Sequence, residues 1–302
     1  MKRTLAILLA ALGLVFVAAP AALADTTLWY DSQTSWNSDS HLYSYDLATG
    51  AKTDYGVVAG VQNMTDLTFD DSGGLYALAF GNMYGGGKGR LLALTPGSAS
   101  APATFTSIPI TGNFSGSPNG LAFRDGALFV STWDRQFYKL TQNDQGSGWT
   151  VAARGQLGYN AVGDLAFGPD GRLYAALIKG NSTQLGVVDY DPAGSQFGKA
   201  TLVGAPLAGF NYVFGLGYVG DTLYGTACND NFDSSKLVTI DPTTGATTVV
   251  ADFGQPVWGM AVTGGTAPIP EPATVALLGA GLVALGLCRR RDARKPRSLL
   301  RS

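Results

Sequence analysis

Four stretches of this chain repeat one pattern, and that pattern limits the fold more than any other feature. They are "DLTFDDSGGLYALAF" (Asp66 to Phe80), "GLAFRDGALFVSTW" (Gly120 to Trp133), "DLAFGPDGRLYAALI" (Asp164 to Ile178) and "GLGYVGDTLYGTAC" (Gly215 to Cys228). Each has a short apolar run, a turn rich in Asp and Gly, and a second run opening on Leu-Tyr or Leu-Phe, which is the pattern of a β-hairpin. A truncated fifth copy, "WGMAV", stands at Trp258 to Val262. The leading apolar residues are Leu67, Leu121, Leu165, Leu216 and Met260, so the repeats are 54, 44, 51 and 44 residues apart. Repeats of that length belong to the blades of a propeller.

A second pattern follows each hairpin. "LYSYDLATGAKTDYG" (Leu42 to Gly56), "LLALTPGSASAPATF" (Leu91 to Phe105), "FYKLTQNDQGSGWTV" (Phe137 to Val151), "GVVDYDPAGSQFGKATLV" (Gly186 to Val203) and "LVTIDPTTGATTVV" (Leu237 to Val250) each supply a strand, a turn and an outer strand. Four strands per unit and five units predict an all-β chain, a single five-bladed β-propeller. From Leu28 the chain begins with the last three strands of one blade, and "WGMAV" supplies that blade's missing innermost strand. Closing the ring in this way removes the exposed edges that an open array would leave. The repeats resemble those of the NHL, YVTN and gluconolactonase-like propellers, a likeness of fold only.

Charge narrows the partners. Between Asp25 and Thr266 there are 20 acidic residues against 11 Lys and Arg, and the nine basic residues outside that span bring the whole chain to a net charge of only −2. An acidic domain of this kind lacks the basic stripe that nucleic acid requires. All 20 acids are Asp, which favours turns over helices, and 41 glycines in the chain fit the same reading. Cys228 has no second cysteine in this domain with which to form a disulfide, and is expected as a small buried strand residue.

The two ends carry a different message. Met1-Lys2-Arg3, the apolar Leu5 to Ala19 and the small-residue Ala22-Leu23-Ala24 predict a secretory signal, residues 1–24, read by the Sec machinery and cleaved before Asp25. The propeller domain is then 25–266 and the tail 267–302. Within the tail, Ala273 to Cys288 is uncharged and expected to enter the inner membrane as a helix. Its 16 residues reach only about 24 Å, short of the roughly 30 Å hydrocarbon core. Five of the seven residues Arg289 to Lys295 are basic, which puts 289–302 on the cytoplasmic side.

Ile269-Pro270-Glu271-Pro272-Ala273-Thr274, followed by Leu277-Leu278-Gly279, Gly281-Leu282 and Arg289-Arg290-Arg291, resembles the PEP-CTERM sorting domain of exported bacterial proteins. Isoleucine takes the place of the commoner valine, and eleven residues follow Arg291. The resemblance implies that Pro270, Glu271, Pro272, Arg289, Arg290 and Arg291 form a signal recognised by an exosortase, a membrane-embedded sorting enzyme of Gram-negative bacteria that make extracellular polysaccharide. It implies transient anchoring and then a cell-surface or matrix destination, and nothing about the domain's own chemistry.

Candidate site residues come from the loops that lead into the innermost strands, since these loops surround the central channel of a propeller. Asp66, Asn119 and Asp164 are expected to cap turns with their side chains, with convergence as oxygen ligands for Ca2+ as the alternative role. Phe214, Trp258, Tyr212 and Trp133 are expected around the same mouth, as a surface for sugar stacking or as core packing. "GNMYGGGKGR" (Gly81 to Arg90) fails as a P-loop because Asn82 and Gly89 stand where Gly and Ser or Thr are needed. "NDNFDSS" (Asn229 to Ser235) spaces its oxygens as a calcium loop does but lacks the central glycine and distant glutamate.

Missing residues weigh against an enzyme. His41 is the only histidine, so a histidine zinc site is excluded on count, and the domain has no glutamate for glycosidase chemistry. The leading expectation is a non-catalytic binding or structural propeller with no cofactor, delivered among extracellular polysaccharide. An Asp-based hydrolase or lyase at the channel, and a Ca2+-dependent adhesion module, are the alternatives. The first needs two close, buried aspartates such as Asp66 and Asp164 beneath a cleft.

Overall fold

A computed structural model describes residues 27–35, 38–80, 89–98, 101–229 and 231–263. They form strands, turns and irregular segments, with no helix among the described residues. The expected signal peptide and the sorting tail, with Pro270, Glu271, Pro272 and Arg289 to Arg291, lie outside them. No helix of the described residues is long and apolar enough to cross a membrane.

The strands form five sheets. The first blade, from the centre outward, is β21 (Gly259–Val262), β1 (Thr27–Ser32), β2 (Asp39–Asp46) and β3 (Lys52–Gln62). The second is β4 (Met64–Phe69), β5 (Leu75–Ala79), β6 (Arg90–Thr95) and β7 (Thr104–Ile108). The third is β9 (Pro118–Arg124), β10 (Ala127–Thr132), β11 (Gln136–Gln142) and β12 (Trp149–Gln156). The fourth is β13 (Asn160–Phe167), β14 (Leu173–Lys179), β15 (Ser182–Val188) and β16 (Ala200–Leu202). The fifth is β17 (Tyr212–Val219), β18 (Thr222–Cys228), β19 (Lys236–Ile240) and β20 (Thr247–Asp252). The expected closure is present: β21 pairs antiparallel with β1, Leu28 opposite Val262 and Asp31 opposite Gly259. One detail departs from four strands per blade. A two-residue strand, β8 (Ile110–Thr111), adds in parallel outside β12.

The repeat exists because each blade must cover its faces with its neighbours. The leading residues Leu67, Leu121, Leu165, Leu216 and Met260 are all nearly inaccessible, and each heads a separate apolar cluster. Leu67, for example, packs with Leu42 and Val58 of the first blade and with Leu92 of its own. A buried Leu contributes about 1.5–3 kcal/mol relative to an exposed one, so one residue in each innermost strand fastens its blade into the ring. The Asp-Gly turns behave as their composition predicts: Asp70 Oδ1 accepts the Ser72 and Gly74 amides at 2.9 and 2.7 Å, and Gly73 takes φ 83°. Cys228 is buried at the end of β18.

Candidate functional site

A ring of innermost strands poses a hydrogen-bonding problem, because each strand has one edge facing the channel with no sheet partner. Asp66 and Asp164 address it. Asp66 accepts the amide of Leu67 on its own strand at 2.8 Å and that of Leu121 in the next blade at 2.5 Å. Asp164 does the same for Leu165 at 2.5 Å and for Leu216 in the next blade at 2.9 Å. Two carboxyls therefore serve four blades. The β4–β5 pairing slips between Met64 and Asp66, the β13–β14 pairing between Ala161 and Leu165, and the β17–β18 pairing between Val213 and Gly215. Such bulges re-aim side chains, here toward the axis.

Where the innermost strand has glycine at the equivalent position, a polar side chain on the second strand takes the space. A Cβ on Gly120 would stand 2.3 Å from Ser131 Oγ, one on Gly215 2.8 Å from Thr226 Oγ1, and one on Gly259 3.0 Å from Asp31 Oδ1. Thr226 Oγ1 accepts the Gly215 amide at 2.8 Å. Around the axis, then, an aspartate on the innermost strand alternates with a glycine backed by Ser, Thr or Asp. Five is odd, and the blade left over, the closing one, carries Asp31.

Asp31, Asp66 and Asp164 are all buried, and burial pushes their proton affinities up. For Asp66, desolvation and then the charge of Asp164 both act in that direction. Asp164 is pushed up to about 8 by desolvation, against the pull of the Asp66 hydrogen bond and of the backbone amides. The two carboxyls share a buried site in which the charged form is disfavoured. Neither oxygen of Asp31 has a hydrogen-bond partner of good geometry, and desolvation raises its proton affinity against the pull of the nearby Gly259 amide. No group of three or more His, Cys, Asp or Glu among the described residues is arranged to hold a metal ion.

Above this layer, at the upper face where the innermost strands begin, lies a cleft of about 390 Å3. One wall is aromatic. Tyr212 and Phe214 stack at 5.8 Å, Phe214 meets Trp258 at 4.9 Å, and Phe232 touches all three at 5.1 to 6.0 Å. Another part of the lining offers amides and hydroxyls, Gln33, Asn63, Thr65, Ser117 and Asn119, and Trp133 stands at the rim with 47% of its surface exposed. Among the described residues no charged side chain lines the cleft. Several of the polar groups are fixed in place: Asn119 Nδ2 donates to Ala161 O at 2.9 Å, Thr65 Oγ1 to Pro118 O at 3.0 Å, and Gln33 Oε1 accepts the Asn63 amide at 3.1 Å.

The structure thus divides the residues expected at one mouth into two tiers. Asn119, Tyr212, Phe214, Trp258 and Trp133 line the cleft, whereas Asp66 and Asp164 lie beneath it and line neither it nor the cavity of about 680 Å3 at the lower face. Asn119 and the two aspartates tie blade to blade, a different task from turn capping. His41 holds Asp54 at 2.7 Å and stacks on Tyr43, away from this site. Sequence reasoning missed Phe232, hidden in a turn weighed only for its oxygens, and it missed Gln33 and Asp31, which occupy no repeated motif.

Comparison with known proteins bears on the tail. Residues 268–291 match the family model of the PEP-CTERM protein-sorting motif. The tail is a PEP-CTERM sorting signal. It implies sorting by an exosortase-type enzyme, and export toward the cell surface with a transient membrane stage. No curated protein shows significant sequence similarity to the chain. Among solved structures, the PQQ-bound aldose sugar dehydrogenase of Streptomyces coelicolor is 15% identical, covering 74% of this chain and 79% of that one, with a TM-score of 0.45. The periplasmic gluconolactonase of Pseudomonas aeruginosa is 15% identical over 75% and 82%, with a TM-score of 0.44. A Lactobacillus plantarum protein is 14% identical over 75% of this chain and 66% of its own length, with a TM-score of 0.39. None is similar enough to pass an activity to this chain.

Proposed function

We propose that this chain is an exported, non-catalytic β-propeller that binds a neutral glycan in its upper cleft and is directed by its PEP-CTERM tail to the cell surface or the extracellular matrix. The reading rests on one observation: a cleft with a continuous aromatic wall, fixed amides and hydroxyls nearby, and no charged side chain among the described residues. A pyranose ring offers a C–H face that stacks on Trp or Phe and hydroxyls that bond to amides. Among the described residues no Lys or Arg that could pair a phosphate or a carboxylate lines the cleft, which favours a neutral sugar over an anionic one.

Titration of the purified protein with neutral oligosaccharides of different linkages, and with polysaccharide from the producing bacterium, tests this through tryptophan fluorescence and calorimetry. Saturable binding that falls at least tenfold in Trp258→Ala, with near-ultraviolet circular dichroism otherwise unchanged, is the expected result. Failure of every neutral glycan to bind refutes the reading.

The paired acids Asp66 and Asp164 keep a hydrolase or lyase in view, since buried carboxyls with raised proton affinity suit general-acid chemistry. Their position outside both cavities favours binding over turnover. Release of new reducing ends by the wild type, abolished in Asp164→Asn, would reverse that preference. A Ca2+-dependent adhesion module needs free oxygens, and those of Asp66 and Asp164 are engaged by backbone amides. A chelator that lowers the melting temperature at matched ionic strength would restore that alternative.

A further inference from the structure

The chain leaves the propeller at one defined place. β21 starts beside the cleft, where Trp258 forms part of the wall, and ends at Val262; Val262 and Thr263 line the lower cavity. The tail thus departs from the lower face, close to the propeller axis. Nine residues, 264–272, separate Thr263 from Ala273, where the uncharged run begins. Fully extended they span at most about 30 Å.

That tether is short beside the domain. Four strands at about 4.8 Å spacing, added to the width of the channel, put the rim of the propeller at least ~20 Å from its axis. A strand of eight residues such as β13 is ~26 Å tall. A tether rooted near the axis of the lower face is nearly used up on reaching the rim, so it cannot bring the upper face to the bilayer that holds Ala273.

The lower face also has a definite charge. Its inner hairpins carry Asp70, Asp71, Asp125, Asp170 and Asp221 against Arg124 and Arg172. Both arginines lie 3.6 Å from an acid of the same face, Asp125 and Asp170 respectively. Anionic headgroups repel such a surface within a Debye length, about 8 Å at physiological salt.

We infer that, while its tail is in the membrane, the propeller stands with the acidic lower face toward the bilayer and the sorting enzyme embedded in it, and with the aromatic cleft turned outward, free to hold glycan before sorting is complete. The last clause rests on the proposed function; the orientation rests only on where the chain leaves the ring and on the tail's residence in the membrane.

The test uses the full-length chain with its tail, carrying Cys288→Ala, in phosphatidylcholine vesicles that contain an acceptor dye on the headgroup of a trace lipid. A donor is placed on Asp125→Cys in the lower face or on Asn181→Cys in the upper turn between β14 and β15; both positions are exposed and outside the cleft lining. Transfer several-fold more efficient from the Asp125→Cys variant is expected. Replacing part of the lipid with phosphatidylglycerol should weaken that transfer, and added salt should restore it. Equal or greater transfer from Asn181→Cys overturns the orientation, and so does failure of the protein to float with the vesicles. Transfer that strengthens in anionic vesicles overturns the charge argument. Tryptophan fluorescence with neutral oligosaccharide on the same vesicles reports the cleft separately, so the orientation and the ligand fail independently.

Discussion

The cleft and the layer of carboxyls below it are built from neighbouring residues of the same innermost strands, yet they are opposites. Thr65 faces the cleft while Asp66, next in sequence, is sealed from it. In the layer every oxygen of Asp66 and Asp164 is taken by an amide. In the cleft the aromatic wall is open and Trp133 is half exposed. One tier uses its polarity internally to hold blades together, and the other keeps its surface for an outside molecule. A propeller can therefore change what it binds without changing what closes it, provided the step from Thr65 to Asp66 and its counterparts is respected.

The strongest way to break this division is Asp66→Ala. Two buried amides lose their acceptor, at about 1–3 kcal/mol each, so unfolding should show a loss of about 4 kcal/mol and a melting temperature lower by ~10 °C. A loss below ~1 kcal/mol in calorimetry would show that the layer does not fasten the ring. The pH dependence comes next. The folded state raises the pKa of Asp164 to about 8, well above the ~3.9 of an unfolded Asp, so the folded state binds more protons. This contribution is complete at about pH 4 and below, falls as pH rises toward 8, and is flat above that. Thermal melts from pH 4 to 9 should trace that decline, and Asp164→Asn should make it shallower, with Asp31 and Asp66, whose proton affinities burial also raises, supplying the remainder.

Gly120→Ala sharpens the comparison from the other side. The new methyl meets Ser131 Oγ and also the Gly163 carbonyl at 2.8 Å, a strain of about 1–3 kcal/mol, visible as a lower denaturant midpoint with glycan affinity retained. The smallest effect on stability belongs to Trp133→Ala, within about 0.5 kcal/mol for so exposed a residue. Its signature is a several-fold weaker affinity for the same oligosaccharides. If it melts early and binds normally, the two tiers are not separate.

The ring was legible in the sequence because blade packing repeats: Leu67, Leu121, Leu165, Leu216 and Met260 occupy the same place and do the same work. The closing strand was legible for the same reason, since "WGMAV" is a blade segment with its blade missing. The axial layer was only half visible. Asp66 and Asp164 stand out in the alignment, but an aspartate before a leucine says nothing of an amide in the next blade, which only ring geometry brings within 3 Å. Asp31 was invisible, because its partner position, Gly259, lies at the far end of the chain. Phe232 escaped because its turn takes φ 52° there and folds the ring onto Trp258, a placement that no periodic pattern encodes.

β21 is four residues long, has the first blade on one edge and the channel on the other, and runs directly into the tail. Mechanically it is the latch of the ring and also the hook on which the membrane pulls. A load on the tail runs along the strand, so the β21–β1 hydrogen bonds are sheared together rather than peeled one by one. The first structure to give way under such a load would be the closure itself.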